Sequence, residues 1–504
     1  MTDNNTPANF GNEQEVSPGR VIRATAWLGL AKLVSYGLAF LSTIVLARIL
    51  VPEDFGVIAL AMAIIGVLAG LLDVPVTTAL VALQSPTDDE FDTAWTISII
   101  RSVLVSLLLF ALAYPLAGMF NMPEVAPVIM ALSAQLIIFG LRNPYFENFA
   151  RSLNFTWDVY AEISSKICQI IVSIAVALIW KSYWAFVVGL IAGALASMIV
   201  TYIAARRLPK LSLRSPQRLL GYSIWLGMSM VVNRLASESA NLIAGKRFGQ
   251  AMLGELHIGN KLSTDISYIA LIPIIRSLLS AFSRLADDMH RFRHAYLKAQ
   301  AATVAMALPM GVGLALVADP LVPLMLGPGW DRAIIVVQYF APCASLLMAA
   351  GPIRSVAMAL GKTRVMLGRD VILLVIRVTC LVIGTWTHGF LGLLVAYVAS
   401  TILTTIVNLA FLKRLLSIRI VDQVRNFARS IISTLMMAGA VMVVDRSLNL
   451  PDTLWDNILT VGVLSATGAA TYATVHTLLW LAGGRPDGIE QSALLVARKL
   501  KLVR

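Results

Sequence analysis

YIALIPIIRSLLSAF, residues 268–282, is an apolar run broken by a single arginine, Arg276. A bilayer-crossing helix needs about 20 predominantly apolar residues, and a charged side chain at its centre costs about 2.5–3.5 kcal/mol on insertion scales. A permanent cation in such a run is tolerable if it faces the interior of a helix bundle or a watery cleft. Outward from 268–282 the same pattern recurs, with Pro, Gly and charge clusters ending each run. Candidate spans lie near 22–48, 56–83, 92–118, 125–148, 157–180, 182–205, 219–245, 251–283, 295–326, 332–360, 364–386, 389–413, 427–446 and 456–482. The expected fold class is an all-α integral membrane protein of about 14 transmembrane helices.

Composition agrees. The 504 residues are 58% hydrophobic and 13% charged, with a mean hydropathy of +0.79, well above the roughly 45–50% apolar usage of soluble domains. The net charge of +12 is scattered between apolar runs rather than gathered on one face, which argues against a nucleic-acid partner. Cys168, Cys343 and Cys380 lie inside apolar stretches and read as packed free thiols. His257, His290, His294, His388 and His476 show no metal-ligand spacing, and neither a Walker-type phosphate loop nor a Ser-His-Asp grouping occurs. No catalytic residue, metal or cofactor is expected.

Basic residues set the topology. With an inside N-terminus, the cytoplasmic connections hold Arg206, Arg207, Lys210, Arg214 and Arg218, then Arg284, Arg291, Arg293 and Lys298, then Lys413, Arg414, Arg419 and Arg425. The opposite side holds far fewer, so both termini are expected in the cytoplasm. DDEFD (88–92) reads as an acidic loop, which carries little weight in orientation.

A weak internal repeat divides the chain. ARILVPEDFG (47–56) resembles AGKRFGQAMLG (244–254), and PLAGMFNMP (115–123) resembles PLVPLMLGP (320–328). The expected organisation is a cytoplasmic tail (1–20), a six-helix N-lobe (21–207), a basic cytoplasmic linker (208–218), a six-helix C-lobe (219–415), two further helices (416–482) and a basic cytoplasmic tail (483–504). Six helices per lobe insert both lobes the same way up, which puts a pseudo-two-fold axis along the membrane normal and a cleft between the lobes.

Charges inside the spans mark the candidate site. Lys32, Arg101, Arg142, Lys166, Arg276 and Arg377 fall in different spans, each about eight or nine residues from the cytoplasmic end, a depth of roughly 12–14 Å. They are expected to form a cationic collar, with Arg234 and Lys261 deeper and Arg354 nearer the cytoplasm. The alternative for any one of them is snorkelling to the headgroups. Asp73, Glu162, Glu238 and Asp265 are the candidate carboxylates for proton or sodium coupling; Glu162 with Lys166, and Arg234 with Glu238, are spaced to pair on one helix face.

LARILVPEDFGVIALAMAI (46–64), YFENFARSLNFTWDVYAEISSK (145–166), SYWAFVVGLIAG (182–193) and IPIIRSLLSAFSRLADD (272–288) resemble bacterial polysaccharide flippases of the colanic-acid and xanthan exporter type. That superfamily also holds multidrug and toxic-compound extruders and the lipid II flippase. The resemblance implies an inner-membrane transporter that alternates between inward- and outward-open states. Its cargo would be an undecaprenyl-diphosphate-linked oligosaccharide, moved from the cytoplasmic to the periplasmic leaflet through a cationic cavity. It further implies work beside a polysaccharide polymerase and export machinery, and a role for the last two helices around the lipid tail. The chain departs from the resemblance at Ala240, where relatives often carry an acid. Two alternatives stand beside this expectation: a cation-coupled multidrug exporter of the same fold, and an integral-membrane glycan polymerase or glycosyltransferase.

Overall fold

The computed structural model describes residues 18–71, 80, 86–152, 154–214, 224–269, 282, 285, 288–348, 353–448 and 454–484. Every regular element among them is helical. In chain order they are α1 (Pro18–Ile49), α2 (Pro52–Leu71), α3 (Asp88–Phe120), α4 (Val125–Gly140), α5 (Glu147–Arg151), α6 (Thr156–Trp180) and α7 (Trp184–Ala205). The second half continues with α8 (Ile224–Ile269), α9 (Met289–Leu316), α10 (Ala318–Leu326), α11 (Asp331–Leu347), α12 (Ile353–Ala359), α13 (Thr363–Leu416), α14 (Ile420–Ser447) and α15 (Leu454–Ala482).

Nine helices among the described residues are long and apolar enough to cross a membrane, or ten if the pair bent by 58° at 125–151 counts as one span. The expected fourteen is not reached by this count. Two reasons are visible in the elements themselves. α13 reverses at His388 and Gly389, the glycine at φ 60°, so one counted helix is two arms folded together. A Cβ on Gly384 would stand 2.4 Å from the Gly392 carbonyl oxygen, which is how closely those arms meet. α8 likewise turns back at Gly249, at φ 80°, a left-handed conformation that favours glycine. Its arms carry Asn233, Arg234, Glu238, Asn241, Lys246 and Lys261, and that polarity keeps it out of the count.

Local chemistry explains several boundaries. α2 opens with Pro52, whose missing N–H costs nothing at a helix start, followed by Glu53 and Asp54 near the positive end of the helix dipole. DDEFD is not a loop: Thr87 and Glu90 form a capping box, and Asp88, Asp89 and Glu90 occupy the first turn of α3. Asp92, expected as a loop acid, is buried and accepts hydrogen bonds from the Tyr145 hydroxyl (3.0 Å) and the Lys210 amide (3.0 Å). The Ser212 amide in turn donates to Thr96 (2.9 Å), so the basic strand of linker after α7 is strapped along α3. Two expected spans are broken: 295–326 becomes α9 and α10 with a break at Val317, and the 332–360 run becomes α11 and the short α12.

Packing relies on small residues. Added Cβ atoms at Gly189 and Gly193 would stand 1.9 Å from the Ser173 hydroxyl and 2.9 Å from the Ser165 carbonyl oxygen, so α6 and α7 lie nearly backbone to backbone. Large apolar side chains such as Leu107, Ile171, Ile203, Val375 and Val443 are exposed on the outer surface, as a lipid-facing surface requires. Trp180, Trp386 and Trp455 are also exposed, at helix ends on the side opposite the basic linker, in the manner of an interfacial aromatic belt.

The two halves of the chain meet at that same end. Arg48, at the end of α1, donates from Nε to the Met325 carbonyl (3.1 Å) and from Nη2 to the Leu324 carbonyl of α10. Lys246, at the end of the first arm of α8, donates to the Met119 carbonyl near the end of α3. Between them α2 and α8 touch: a Cβ on Gly56 would stand 2.0 Å from the Gln250 carbonyl oxygen, and one on Gly254 would stand 1.8 Å from that of Pro52. Phe55 sits edge-on against Phe186 (4.8 Å) and Trp330 (5.2 Å), closing the seal with aromatic surface.

Candidate functional site

Directly beneath that seal lies a chamber of about 440 Å³ walled by α1, α2, α6, α7 and both arms of α8. Leu46, Phe55 and Phe186 form its apolar end. Lys166, Arg234 and Lys261 reach it from α6 and from the two arms of α8, because the reversal at Gly249 turns Arg234 and Lys261 into neighbours across the chamber. Each is braced: Lys166 donates to Gln169 (3.2 Å), Arg234 pairs with Glu238 (3.0 Å) and Lys261 pairs with Asp265 (2.6 Å). Glu238 also accepts from Asn241 (2.9 Å), which fixes the carboxylate under the guanidinium. His257 lines the same space with its Nδ1 buried and without a hydrogen-bond partner.

A second cavity of about 460 Å³ is walled by α1, the α4–α5 corner, α6 and α7, and contains Lys32, Arg142, Asp158, Glu162 and Lys166. Lys32 and Glu162 form an ion pair across α1 and α6. Glu162 is therefore taken by a residue of another helix and not by Lys166, the same-helix partner its spacing suggested; Lys166 turns to Gln169 instead. Arg142 lies over the Phe146 ring with Cζ 5.9 Å from the centroid. Lys166 lines both cavities and joins them.

Among the described residues, Lys32, Arg142, Lys166, Arg234, Lys261 and Arg101 line cavities that share Lys166 or Arg234, while Arg377 and Arg354 lie apart. Arg101 lines a third cavity, of about 470 Å³, which it shares with Arg234. Arg377 lies under the Tyr397 ring, Cζ 4.2 Å from the centroid, inside the second half where Tyr397 stacks on Phe340. Arg354 is held by Asp370 (3.3 Å), a fully buried acid that also takes Arg369 (2.7 Å) and the Ser229 hydroxyl. Arg369 in turn donates to Asn408 (2.8 Å), so this knot ties α8, α12 and both arms of α13. Arg276 and Asp73 lie outside the described residues.

Three charged groups escaped the sequence reading. Asp370 and Arg369 are adjacent, a spacing with no helical signature, and Asp158 was passed over although its Oδ2 is buried in the second cavity without a hydrogen-bond partner. Asp158 and Glu162 are one turn apart on α6, a signal that spacing alone could have supplied. A fourth cavity, about 600 Å³ and almost wholly apolar, runs between α9, α14 and α15 past Met310, Met437 and Leu464.

Residues 45–335 match the family described as polysaccharide biosynthesis protein. The chain belongs to that family. Among curated members, the succinoglycan biosynthesis transport protein ExoT of Rhizobium meliloti (strain 1021) is 24% identical over 341 residues, covering 66% of this chain and 69% of that one. The lipopolysaccharide biosynthesis protein WzxC of Escherichia coli (strain K12) is 23% identical over 394 residues, covering 77% and 80%. Among solved structures, the lipid II flippase MurJ in an inward closed conformation superposes with a TM-score of 0.72 at 12% identity, over 90% of this chain and 98% of that chain. An inward-facing multidrug resistance MATE transporter follows at 0.54 and 13%, over 76% and 95%. The likeness establishes the fold: an all-helical, multi-pass membrane fold of the kind seen in the lipid II flippase and the MATE transporters. Of these relatives, the succinoglycan protein is named as a transport protein.

Proposed function

We propose that this membrane protein is a transporter, a flippase for undecaprenyl-diphosphate-linked oligosaccharides in a bacterial inner membrane, moving them from the cytoplasmic to the periplasmic leaflet by alternating access. The observation that carries the reading is the chamber beneath the seal, where Lys166, Arg234 and Lys261 converge from three helical segments. A diphosphate brings about two negative charges, and dispersed ammonium and guanidinium groups hold them without the closed clamp that would prevent release. Glu238 and Asp265 already hold Arg234 and Lys261. That favours an anionic head group, which competes for the cations, over a cationic drug, which would need the acids.

The contacts at the seal support the two-lobe organisation. Arg48 and Lys246 hold corresponding places in the resembling stretches 47–56 and 244–254; Met119 and Leu324, whose carbonyls they reach, correspond in 115–123 and 320–328. Such reciprocity is what a two-fold axis produces. We place fourteen spans, two six-helix lobes about an axis along the membrane normal, and both termini in the cytoplasm, with the seal at the periplasmic end. Glu238 in the chamber wall, Asp265 paired with the chamber's Lys261, and Glu162 in the second cavity are the proposed sites at which a proton or sodium ion is exchanged as the lobes rock. Polymerase and export machinery are the proposed recipients of the flipped unit.

Deletion of the gene in its own host is expected to leave a lipid-linked oligosaccharide on the cytoplasmic leaflet, identified by mass spectrometry of lipids from sealed vesicles. Accumulation of no such intermediate, with normal surface polysaccharide, would rule the proposal out.

A further inference from the structure

The chain leaving α7 is fixed to the first half of the molecule through its backbone. Arg206 turns it at φ 47°, and residues 207–214 then follow the start of α3 without regular structure. Asn143 donates to the Arg207 carbonyl (2.7 Å), the Lys210 amide to Asp92 (3.0 Å) and the Ser212 amide to the Thr96 hydroxyl (2.9 Å). The two acceptors on α3 are buried, whereas Leu208, Leu211 and Leu213 on the strap are 76%, 73% and 55% exposed. A single exposed leucine is ordinary, but three within six residues form a contiguous apolar edge, which marks a surface that something covers.

The neighbours of the strap say what covers it. Asp92, Thr96, Ile100 and Leu107 recur on one face of α3 at helical spacing. The first two are buried where the strap is bonded to them, and Ile100 and Leu107 are 45% and 61% exposed, on the lipid-facing surface. The strap therefore sits on the lipid side of α3, at the level where that face changes from polar to apolar. Its cations are not all free. Arg207 is engaged by Asp88 and by the Tyr145 ring, and Arg214 by Asp89 (3.7 Å), whereas Arg206 and Lys210 are exposed and make no ion pair with a described residue. We propose that residues 206–214 form a docking strap for an anionic membrane surface: Leu211 and Leu213 enter the boundary of the acyl chains while Arg206 and Lys210 meet negatively charged headgroups. Exposed leucine beside exposed cation is the composition that binds such an interface, through buried apolar area and attraction to anionic lipid together. The amide bonds to Asp92 and Thr96 hold the strap at that depth in advance, so docking orders little new chain. In the orientation placed above, the surface is the cytoplasmic leaflet; the strap does not depend on what cargo is carried.

The test uses the full chain in nanodiscs, with Cys168, Cys343 and Cys380 replaced and a nitroxide on a single new cysteine, Leu211→Cys or Leu213→Cys. Power-saturation electron paramagnetic resonance compares collision with oxygen, which concentrates in lipid, against collision with a water-soluble nickel chelate. In discs containing phosphatidylglycerol, the oxygen-to-nickel ratio at both sites is expected to lie near that of Leu107→Cys, on the lipid-facing surface, and severalfold above that of Lys362→Cys, on an exposed turn. Arg206→Gln with Lys210→Gln, or discs of phosphatidylcholine alone, is expected to move the ratio severalfold towards that of Lys362→Cys. A ratio equal to that of Lys362→Cys in phosphatidylglycerol would mean that the strap stands in water. Low collision with both reagents would mean that protein, a second copy of this chain included, covers the leucines. A ratio unmoved by lipid charge and by the double substitution would remove the anionic partner. Each of these three results overturns the proposal.

Discussion

Asp370 is the residue on which the second half of the chain most depends. Its carboxylate has no exposed surface and is shared by Arg354, Arg369 and Ser229. Removing one member of a buried ion pair strands the other in a low dielectric, at a cost of about 3–5 kcal/mol. Asp370→Asn is therefore expected to lower the thermal stability of the detergent-solubilised protein sharply, measured by the loss of monodisperse protein on heating. Lys32 and Glu162 are 30% and 21% exposed, where Asp370 is wholly buried, so Lys32→Gln is expected to cost less stability than Asp370→Asn. It should instead impair export, and Lys32→Gln with Glu162→Gln should recover more of it than Lys32→Gln alone, measured as surface polysaccharide. What was legible at this scale was charge at depth. Arg234 with Glu238 could be read from spacing on one helix, whereas Lys32 with Glu162 and Arg354 with Asp370 are tertiary contacts, and nothing in spacing encodes which helices meet.

The helices α2 and α8 approach more closely than side chains normally permit. Gly56 and Gly254 each face a carbonyl oxygen of the other helix at under ordinary van der Waals distance for any added carbon. Gly254→Val is expected to wedge the seal open. In a background with Cys168, Cys343 and Cys380 replaced, Ser42→Cys in the chamber wall should become reactive to a membrane-impermeant maleimide added outside cells carrying Gly254→Val, while the parent stays unreactive. Element boundaries were legible where glycine or charge interrupts an apolar run: the reversals at Gly249 and Gly389 fall between the expected spans 219–245 and 251–283 and between 364–386 and 389–413. The breaks at Val317 and after Leu347 were missed although Asp319-Pro320 and Gly351-Pro352 stand beside them, because a window of hydropathy averages over one or two breaking residues.

For the whole molecule, the chamber's cations are the quantity to vary. Lys166→Glu and Lys261→Glu together would turn two attractions for a diphosphate into repulsions, in a setting less screened than water. Export is expected to be lost with protein still present in the membrane; retained export would break the link between these lysines and the cargo. The class of molecule was legible because composition sets it: a chain that is 58% hydrophobic and lacks catalytic spacing has few other destinations. Depth alone did not say which cations would share a cavity. Equal depth along separate helices says nothing of azimuth, and Arg377 points under Tyr397 while Arg101 lines the cavity between α2, α3, α4 and α8.

The acceptors that Arg48 and Lys246 reach are main-chain carbonyls of residues 324, 325 and 119. Every amino acid supplies that oxygen, so mutation of Met119, Leu324 or Met325 cannot delete the receiving half of either clasp. Mutational drift there should be tolerated as long as the local helix persists, whereas substitution of Arg48 or Lys246 removes a clasp outright.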